Sequence, residues 1–567
     1  MKNYFKLTAL SVLLLFGSCT EQNINDQITF TQVDPLSKIF RESNFLPEFN
    51  EDVEVAAGEH ATFQFAIRAG LPLNDLCMEV SNFKNKEGET LNDIETGFID
   101  YVSVSRPTPE RAVDALNSLS SYYPDPIINT QHWNVKRDIT QPMWITVNVP
   151  RNAKAGDYKA TFTLKGKLSD QSFTLSKDIN IKVYPVVLDE PDLWVTNWFS
   201  TETDNLKIIN NEKDIEKYSD TYWNLVKKLA DKMKVCYSNV ILINPFEHIE
   251  FKETEGKWEF DFTQFDKMVT IMHDAGVLKM IEGGHIAKRC GNWDSQYETL
   301  IPIYKDGKKE TILKPLNTPE AKNFYNQFLP ALYSHIKSKF PEVLYAQHIA
   351  DEPTDSNLKT YVEIAKYVKS LCPEIKLIEA CHTHNLENVL DIWVPQLNFF
   401  KTGYNFYKER QAAGDEVWFY TCLGPQGELA NRFIEQPLIK PRLLHWLNFK
   451  YNSNGYLHWG LNKWNRRKDT RDPFGETSRM NLESGNVLPG GDSWILYPKD
   501  GEVYGSMRLE AMRDGITDYT LLRMLEKKNS EQARELCRLV VYRWERYDID
   551  TDHFRWIRHK ILEELSK

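Results

Sequence analysis

The chain has 567 residues, 41% hydrophobic and 26% charged, with 26 each of Gly and Pro. This composition argues against a disordered, collagen-like or coiled-coil chain, and at about 150 residues per domain it allows two to four domains. The 69 basic and 80 acidic residues leave a net charge of −11, a sign that opposes a nucleic-acid partner.

Residues 1–18 read as an export signal. Lys2 and Lys6 form a short basic region, and residues 7–16 are an apolar run too short to span a bilayer. The small pair Gly17-Ser18 precedes Cys19. This end is similar to the lipobox of bacterial lipoproteins and predicts lipidation of Cys19, with residues 19–27 as a linker. The expected product is an exported bacterial lipoprotein, anchored to a membrane on its periplasmic or cell-surface side. Eight cysteines are scattered along the chain without a CxxC pair, and there is no HExxH, dinucleotide or phosphate-loop motif.

From 28 to 190 the hydrophobic period is two. Residues 62–67, 144–149, 160–164 and 179–183 alternate, with turn signals such as Ala155-Gly156-Asp157 between them. This pattern predicts an antiparallel β-sandwich, with a loop insertion at 106–134. Residues 184–191 hold Pro185 and Pro191 and read as the linker to the next domain.

From 191 to 503 strand-length apolar runs alternate with helices. Strands are expected at 193–199, 238–243, 279–284, 343–350, 376–381, 397–401, 417–423 and 455–460. Tyr222, Leu225, Val226, Leu229 and Met233 fall on one helical face, as do Tyr361, Ala365 and Val368. Thr318-Pro319-Glu320 is a helix start. Eight strand–helix units predict a (β/α)8 TIM-type barrel; a doubly wound sheet has the same periodicity. Residues 504–567 read as a C-terminal helical extension, with helices at 506–527, 531–547 and 552–565.

In such a barrel the chemistry sits at the C-terminal strand ends. The fourth strand runs Gln347-His348-Ile349-Ala350 into two adjacent acids, Asp351 and Glu352, and Pro353 ends it. Many retaining glycosidases hold their two carboxylates about 5 Å apart on opposite sides of the sugar, which neighbours on one loop do poorly. An adjacent pair suits substrate assistance instead. One acid protonates the glycosidic oxygen, while the other accepts the N–H of a 2-acetamido group whose carbonyl oxygen attacks the anomeric carbon. The proton donor is expected to have its pKa raised by desolvation. The bland reading is that Asp351 and Glu352 only begin a loop and cap the helix near Ser356.

Here the sequence resembles glycoside hydrolase family 123, the β-N-acetylgalactosaminidases. The resemblance rests on Ile349-Ala350-Asp351-Glu352-Pro353, on the run Ser506-Met507-Arg508-Leu509-Glu510-Ala511-Met512-Arg513-Asp514-Gly515-Ile516-Thr517-Asp518-Tyr519, and on the domain order. It implies a retaining hydrolase that releases terminal β-linked N-acetylgalactosamine from glycans or glycolipids. Asp351 would be the acetamido stabiliser and Glu352 the acid/base. No metal or organic cofactor is implied.

Further substrate-binding candidates follow from position. They are His285 after the third strand, His348 beside the acids, Tyr404 and Asn405 after the sixth strand, and Trp459, Asn462 and Trp464 after the eighth. Glu379, His382 and Lys463 also lie at strand ends, and Asp492 and Trp494 lie on a Gly-rich loop. Two other functions compete: a β-N-acetylglucosaminidase, and a lipid-anchored glycan-binding protein without catalysis.

Overall fold

The computed structural model describes residues 24–386, 388–464, 472–480 and 485–567. Cys19 and the expected signal lie outside the described residues. Among those residues no helix is long and apolar enough to cross a membrane.

Two sheets open the chain. The first has strand order Ile28–Val33, His60–Ala69, Gln141–Asn148, Ile94–Ser103, Tyr122–Ile128, all antiparallel. The second is built on a long hairpin of Gly156–Leu168 and Gln171–Val187. Leu73–Val80 joins it antiparallel and Val53–Ala57 joins it parallel. Alternation in His60–Ala69 turns Ala61, Phe63, Phe65 and Ile67 to one side, where they share a core with Phe162 and Leu164 of the other sheet. The Phe65 and Phe162 rings lie 4.5 Å apart.

Two expectations need correction here. The region 106–134 is not only a loop: Tyr122–Ile128 is a strand. Pro124 and Pro126 hide it from a period-two reading, and it occupies the sheet edge, where proline is tolerated. The expected linker at 184–191 is strand as far as Val187, with the register shifting between Tyr184 and Val187, around Pro185.

The larger part of the chain contains eight parallel strands. They are Trp194–Asn197, Val240–Ile243, Met280–Gly283, Leu344–Gln347, Lys376–Cys381, Ile392–Pro395, a seventh made of Glu416–Val417 and Phe419–Thr421, and Gly455–His458. From the third to the eighth, each pairs with its predecessor, and the eighth pairs with the first. Asn239 bridges the first and second: its Oδ1 accepts from Val195 N at 2.9 Å and its Nδ2 donates to Leu193 O at 2.8 Å. Val240, Met280, Ala346, Ile378, Ile392, Trp418 and Leu457 form one apolar cluster drawn from seven of the strands. Gly455 is needed beside it, since a Cβ there would lie 2.3 Å from the Trp418 ring.

The sixth strand is Ile392–Pro395, not 397–401; Leu397–Thr402 is a helix. A short apolar run does not by itself separate the two states. Thr318 caps its helix as expected, accepting from Ala321 N, and Pro319–Lys339 follows. The C-terminal segment holds helices Met507–Lys528, Ser530–Val540 and Thr551–Ser566. The expected helix 531–547 stops at Val540, where a β-branched and aromatic run turns into a hairpin of Val541–Arg543 and Arg546–Tyr547.

The two parts are joined by buried charge. Asp125, on the edge strand of the first sheet, accepts from Arg508 Nε at 3.0 Å and Nη2 at 2.7 Å, and both side chains are fully buried. Removing one member strands the other charge in a low-dielectric interface. Asp125→Ala is therefore expected to cost about 3–5 kcal/mol and to lower the thermal unfolding midpoint. An unchanged midpoint would remove the brace from the account.

Candidate active site

The fourth strand leads into the site, and a buried charge triad sets its course. His348 is fully buried. Its Nδ1 lies 2.7 Å from Glu379 Oε1 on the fifth strand, and its Nε2 lies 2.6 Å from Glu282 Oε1 on the third. Two carboxylates hold the imidazole in its charged form against desolvation, and its pKa is raised to about 10. The same charge, with His285 Nε2 at 3.3 Å, lowers Glu379 to about 2.

Every oxygen of the two carboxylates is used. Glu379 Oε2 accepts from the backbone N–H of Ile349 at 2.9 Å and Ala350 at 3.1 Å, and from Tyr361 O–H at 3.0 Å. Glu282 accepts from Thr196 O–H at 2.7 Å and Trp198 Nε1 at 2.8 Å. The Trp198 ring stands edge-on to His285 and His348, at 5.8 and 5.6 Å.

The chain then emerges as Asp351-Glu352. Tyr297 O–H donates to Asp351 O, and Arg289 Nη2 donates to Glu352 O, both at 2.8 Å. Glu352 has φ +46°, in the left-handed region that a non-glycine residue rarely adopts. Its Oε1 accepts from Tyr420 O–H and lies 3.4 Å from His382 Nε2. These partners outweigh burial and hold the Glu352 carboxyl below its usual range. Asp351 reaches open space, yet the surrounding protein displaces enough water to raise its carboxyl. These directions are opposite to the expected raised Glu352. The two acids do not cap a helix either: Asn357 precedes Leu358–Leu371, and its Oδ1 accepts from Thr354 N.

His285, His348 and Glu379 are close enough to suggest a metal site. Both His348 nitrogens already face carboxylates, and a charged imidazole has no lone pair to give, so the donor set does not suit a cation.

The other expected contacts divide. His285 and His382 are half-buried beside the acids. Trp459 is half-buried just past the eighth strand, and its Nε1 donates to Asp492 Oδ1 at 3.0 Å. Four residues do not line the opening as read from sequence. His348 lies below the surface as described. Trp464 is buried, donating to Leu496 O at 2.8 Å. Asn462 is buried and braces the backbone of Ser200 through both amide atoms. Tyr404 packs against Phe400, Tyr451 and Trp544 at 6.1, 5.3 and 5.4 Å. Its neighbour Asn405 is exposed on the helix Tyr404–Ala413, and Trp494 is buried.

Sequence reading missed Glu282, Arg289, Tyr297 and Tyr420. Glu282 carries a signal, since an acid inside the apolar run Met280–Gly283 needs a buried partner. Arg289 and Tyr297 come from an antiparallel insert of Ala287–Arg289, Tyr297–Lys305 and Lys308–Lys314, which period analysis did not resolve.

Residues 204–525 match the family model for the glycoside hydrolase 123 catalytic domain, and residues 47–166 match the glycoside hydrolase 123 N-terminal domain. The chain belongs to glycoside hydrolase family 123. A family 123 glycoside hydrolase from Clostridium perfringens, studied for the details of glycolipid glycan hydrolysis, shares the fold at a TM-score of 0.71 and 18% identity, over 95% of this chain and 97% of its own. A β-glucuronidase from Parabacteroides merdae has a TM-score of 0.29 and 9% identity, over 87% of this chain and 52% of its own. An endo-β-1,4-mannanase from Thermotoga petrophila has a TM-score of 0.33 and 12% identity, over 59% and 77%. Both are too distant in shape to add to the argument. No curated protein matches the chain.

The triad has a pH signature. His348 gains its partners on folding, so its contribution to stability is complete below pH 6.5 and is lost as pH rises toward about 10. Glu379 contributes fully above pH 4.5 and loses its share as pH falls toward about 2. The wild-type unfolding midpoint is expected to drop between pH 6.5 and about 10, and His348→Asn to flatten that drop. An equal slope in the variant would contradict the triad's ionic state.

Proposed function

We propose that this family 123 protein is an exo-acting, retaining glycoside hydrolase that releases terminal β-linked N-acetylgalactosamine from glycans or glycolipids by substrate assistance. The observation that carries the reading is the pair Asp351-Glu352 at the open end of the fourth strand, with both backbone carbonyls held by hydrogen bonds. We read the two opening sheets, 28–190, as a β-sandwich. The cyclic order of eight parallel strands supports a (β/α)8 barrel over 191–503, with 504–567 as its helical extension.

In this mechanism Glu352 gives its proton to the glycosidic oxygen as the acetamido carbonyl oxygen attacks the anomeric carbon. The bond to the leaving group breaks, and an oxazolinium ion forms. Asp351 accepts the amide N–H and stabilises the positive charge. Glu352, now a carboxylate, takes a proton from the water that opens the ring; two inversions give net retention.

The electrostatics of the pair fit this cycle through substrate binding. An amide N–H donated to Asp351 favours its charged form. A charged Asp351 then raises its neighbour Glu352, because adjacent carboxylates resist double ionisation. Filling the site moves the pair toward a charged Asp351 and a protonated Glu352.

Glu352→Gln and Asp351→Asn are each expected to lower kcat on a β-N-acetylgalactosaminide by about 10²-fold or more. Tyr420→Phe removes a donor to the Glu352 carboxylate, so the alkaline limb of its kcat/KM profile should move to higher pH. Normal turnover in both acid variants would overturn the mechanism. Faster release from the N-acetylglucosaminide would change the sugar, and binding without release would favour the non-catalytic alternative.

We also propose that the chain is exported and tethered through a lipid on Cys19. The basic, apolar and small-residue order before that cysteine supports it. The expressed protein should partition into detergent, and Cys19→Ala should move it to the aqueous phase. Identical partitioning of the two would remove the anchor.

A further inference from the structure

Trp293 is 48% exposed, and Arg289 links it to the acid pair. It sits at the tip of a loop in the antiparallel insert, closed where Cys290 N donates to Gln296 O at 3.0 Å. An exposed indole on a loose loop would fold back onto apolar surface, but this one is held out. Its carbonyl accepts from Arg289 Nε at 2.8 Å and from Asn357 Nδ2 at 3.1 Å. The Arg289 guanidinium covers the ring at 3.9 Å from its centroid, a favourable cation–π distance. The same guanidinium donates to Glu352 O. One arginine therefore fixes both the exposed indole and the backbone of the acid.

The neighbouring rings extend the feature. His382 lies 6.3 Å from Trp293, and Phe399 lies 4.7 Å from His382. His382 Nε2 is also 3.4 Å from the Glu352 carboxylate. An aromatic row thus passes the acid, with its exposed end at Trp293. The acid's proton goes to the oxygen that links the terminal sugar to its leaving group. On the mechanism proposed above, rings that adjoin Glu352 lie toward that leaving group, while Asp351 serves the terminal sugar's amide.

We infer that Trp293 is a stacking platform for a neutral hexopyranose on the leaving-group side of the scissile bond. The inference rests on the hydrolase reading above. A pyranose offers a C–H face to an indole and keeps its hydroxyls in water, which suits a ring that is apolar in body and half-exposed. The rigid mounting means that little side-chain entropy is lost on binding.

The test compares wild type, Trp293→Ala and Trp293→Phe on two substrates that end in the same β-linked N-acetylgalactosamine. One leaving group is a disaccharide; the other is trifluoroethanol, too small to reach the indole. An aryl glycoside is unsuitable, because its own ring would stack. Trp293→Ala is expected to lower kcat/KM about tenfold on the oligosaccharide and by less than about twofold on the trifluoroethyl glycoside, with Trp293→Phe in between. Equal losses on both substrates would mean that Trp293 only supports Arg289 and the acid, and no loss on either would mean that it binds nothing; both overturn the platform. Wild type that releases no sugar from either substrate would overturn the hydrolase reading and the platform with it. An active wild type with an indifferent Trp293→Ala overturns the platform alone.

Discussion

The buried imidazolium of His348, held between two carboxylates, is the constraint on which the site depends. It ties the third, fourth and fifth strands together at the ends where they open. A single buried charge of this kind would be costly, and the triad is stable because each member's remaining donors and acceptors are also met. The second oxygen of Glu379 then fixes the peptide groups of Ile349 and Ala350. The direction in which Asp351 and Glu352 leave the strand follows from that fixation. Tyr297 and Arg289 hold the next two carbonyls, so four successive residues are positioned by side chains from other elements.

The run 506–519, which carries part of the family resemblance, serves a different purpose. Arg508 bonds Asp125 and also donates to the carbonyls of Arg432, Gly491 and Trp494. Asp518 is fully buried and accepts from Arg442, Trp446 and Arg558. Arg513 reaches Thr62 on the first sheet. The outward face of that sheet also supplies Ile99, Ile127 and Trp144 to an apolar contact with Leu438, Met507 and Ala511. None of these residues touches the acid pair. The signature is a mechanical joint, and its charges define how the two parts fit more than they add stability.

Much of this was legible in the chain. Period two in 62–67 and 144–149 corresponds to strands, the capped start at Thr318 to a helix, and the Asp-Glu pair to the open end of the fourth strand. The failures share a cause. Position along the chain says how far a residue lies from a strand end, but not on which side its side chain packs. Trp464 and Asn462 follow the eighth strand closely, yet their loop folds back into the interior. Tyr404 moved away because the sixth strand lies earlier than the apolar run suggested. Tyr420 gave no warning, being an ordinary strand tyrosine whose partner lies 68 residues away.

The antiparallel insert between the third strand and the Pro319–Lys339 helix has its two ends under different rules. Near its base, Arg289 and Tyr297 are committed to the backbone of the acids, so those positions are closed to change. The far hairpin turn, Asp306-Gly307, is exposed, and both residues carry a positive φ suited to a tight reversal. Length and composition can drift there without disturbing the chemistry. Such a graded element gives evolution, or a protein engineer, a cassette in which diversity is tolerated at one end and forbidden at the other.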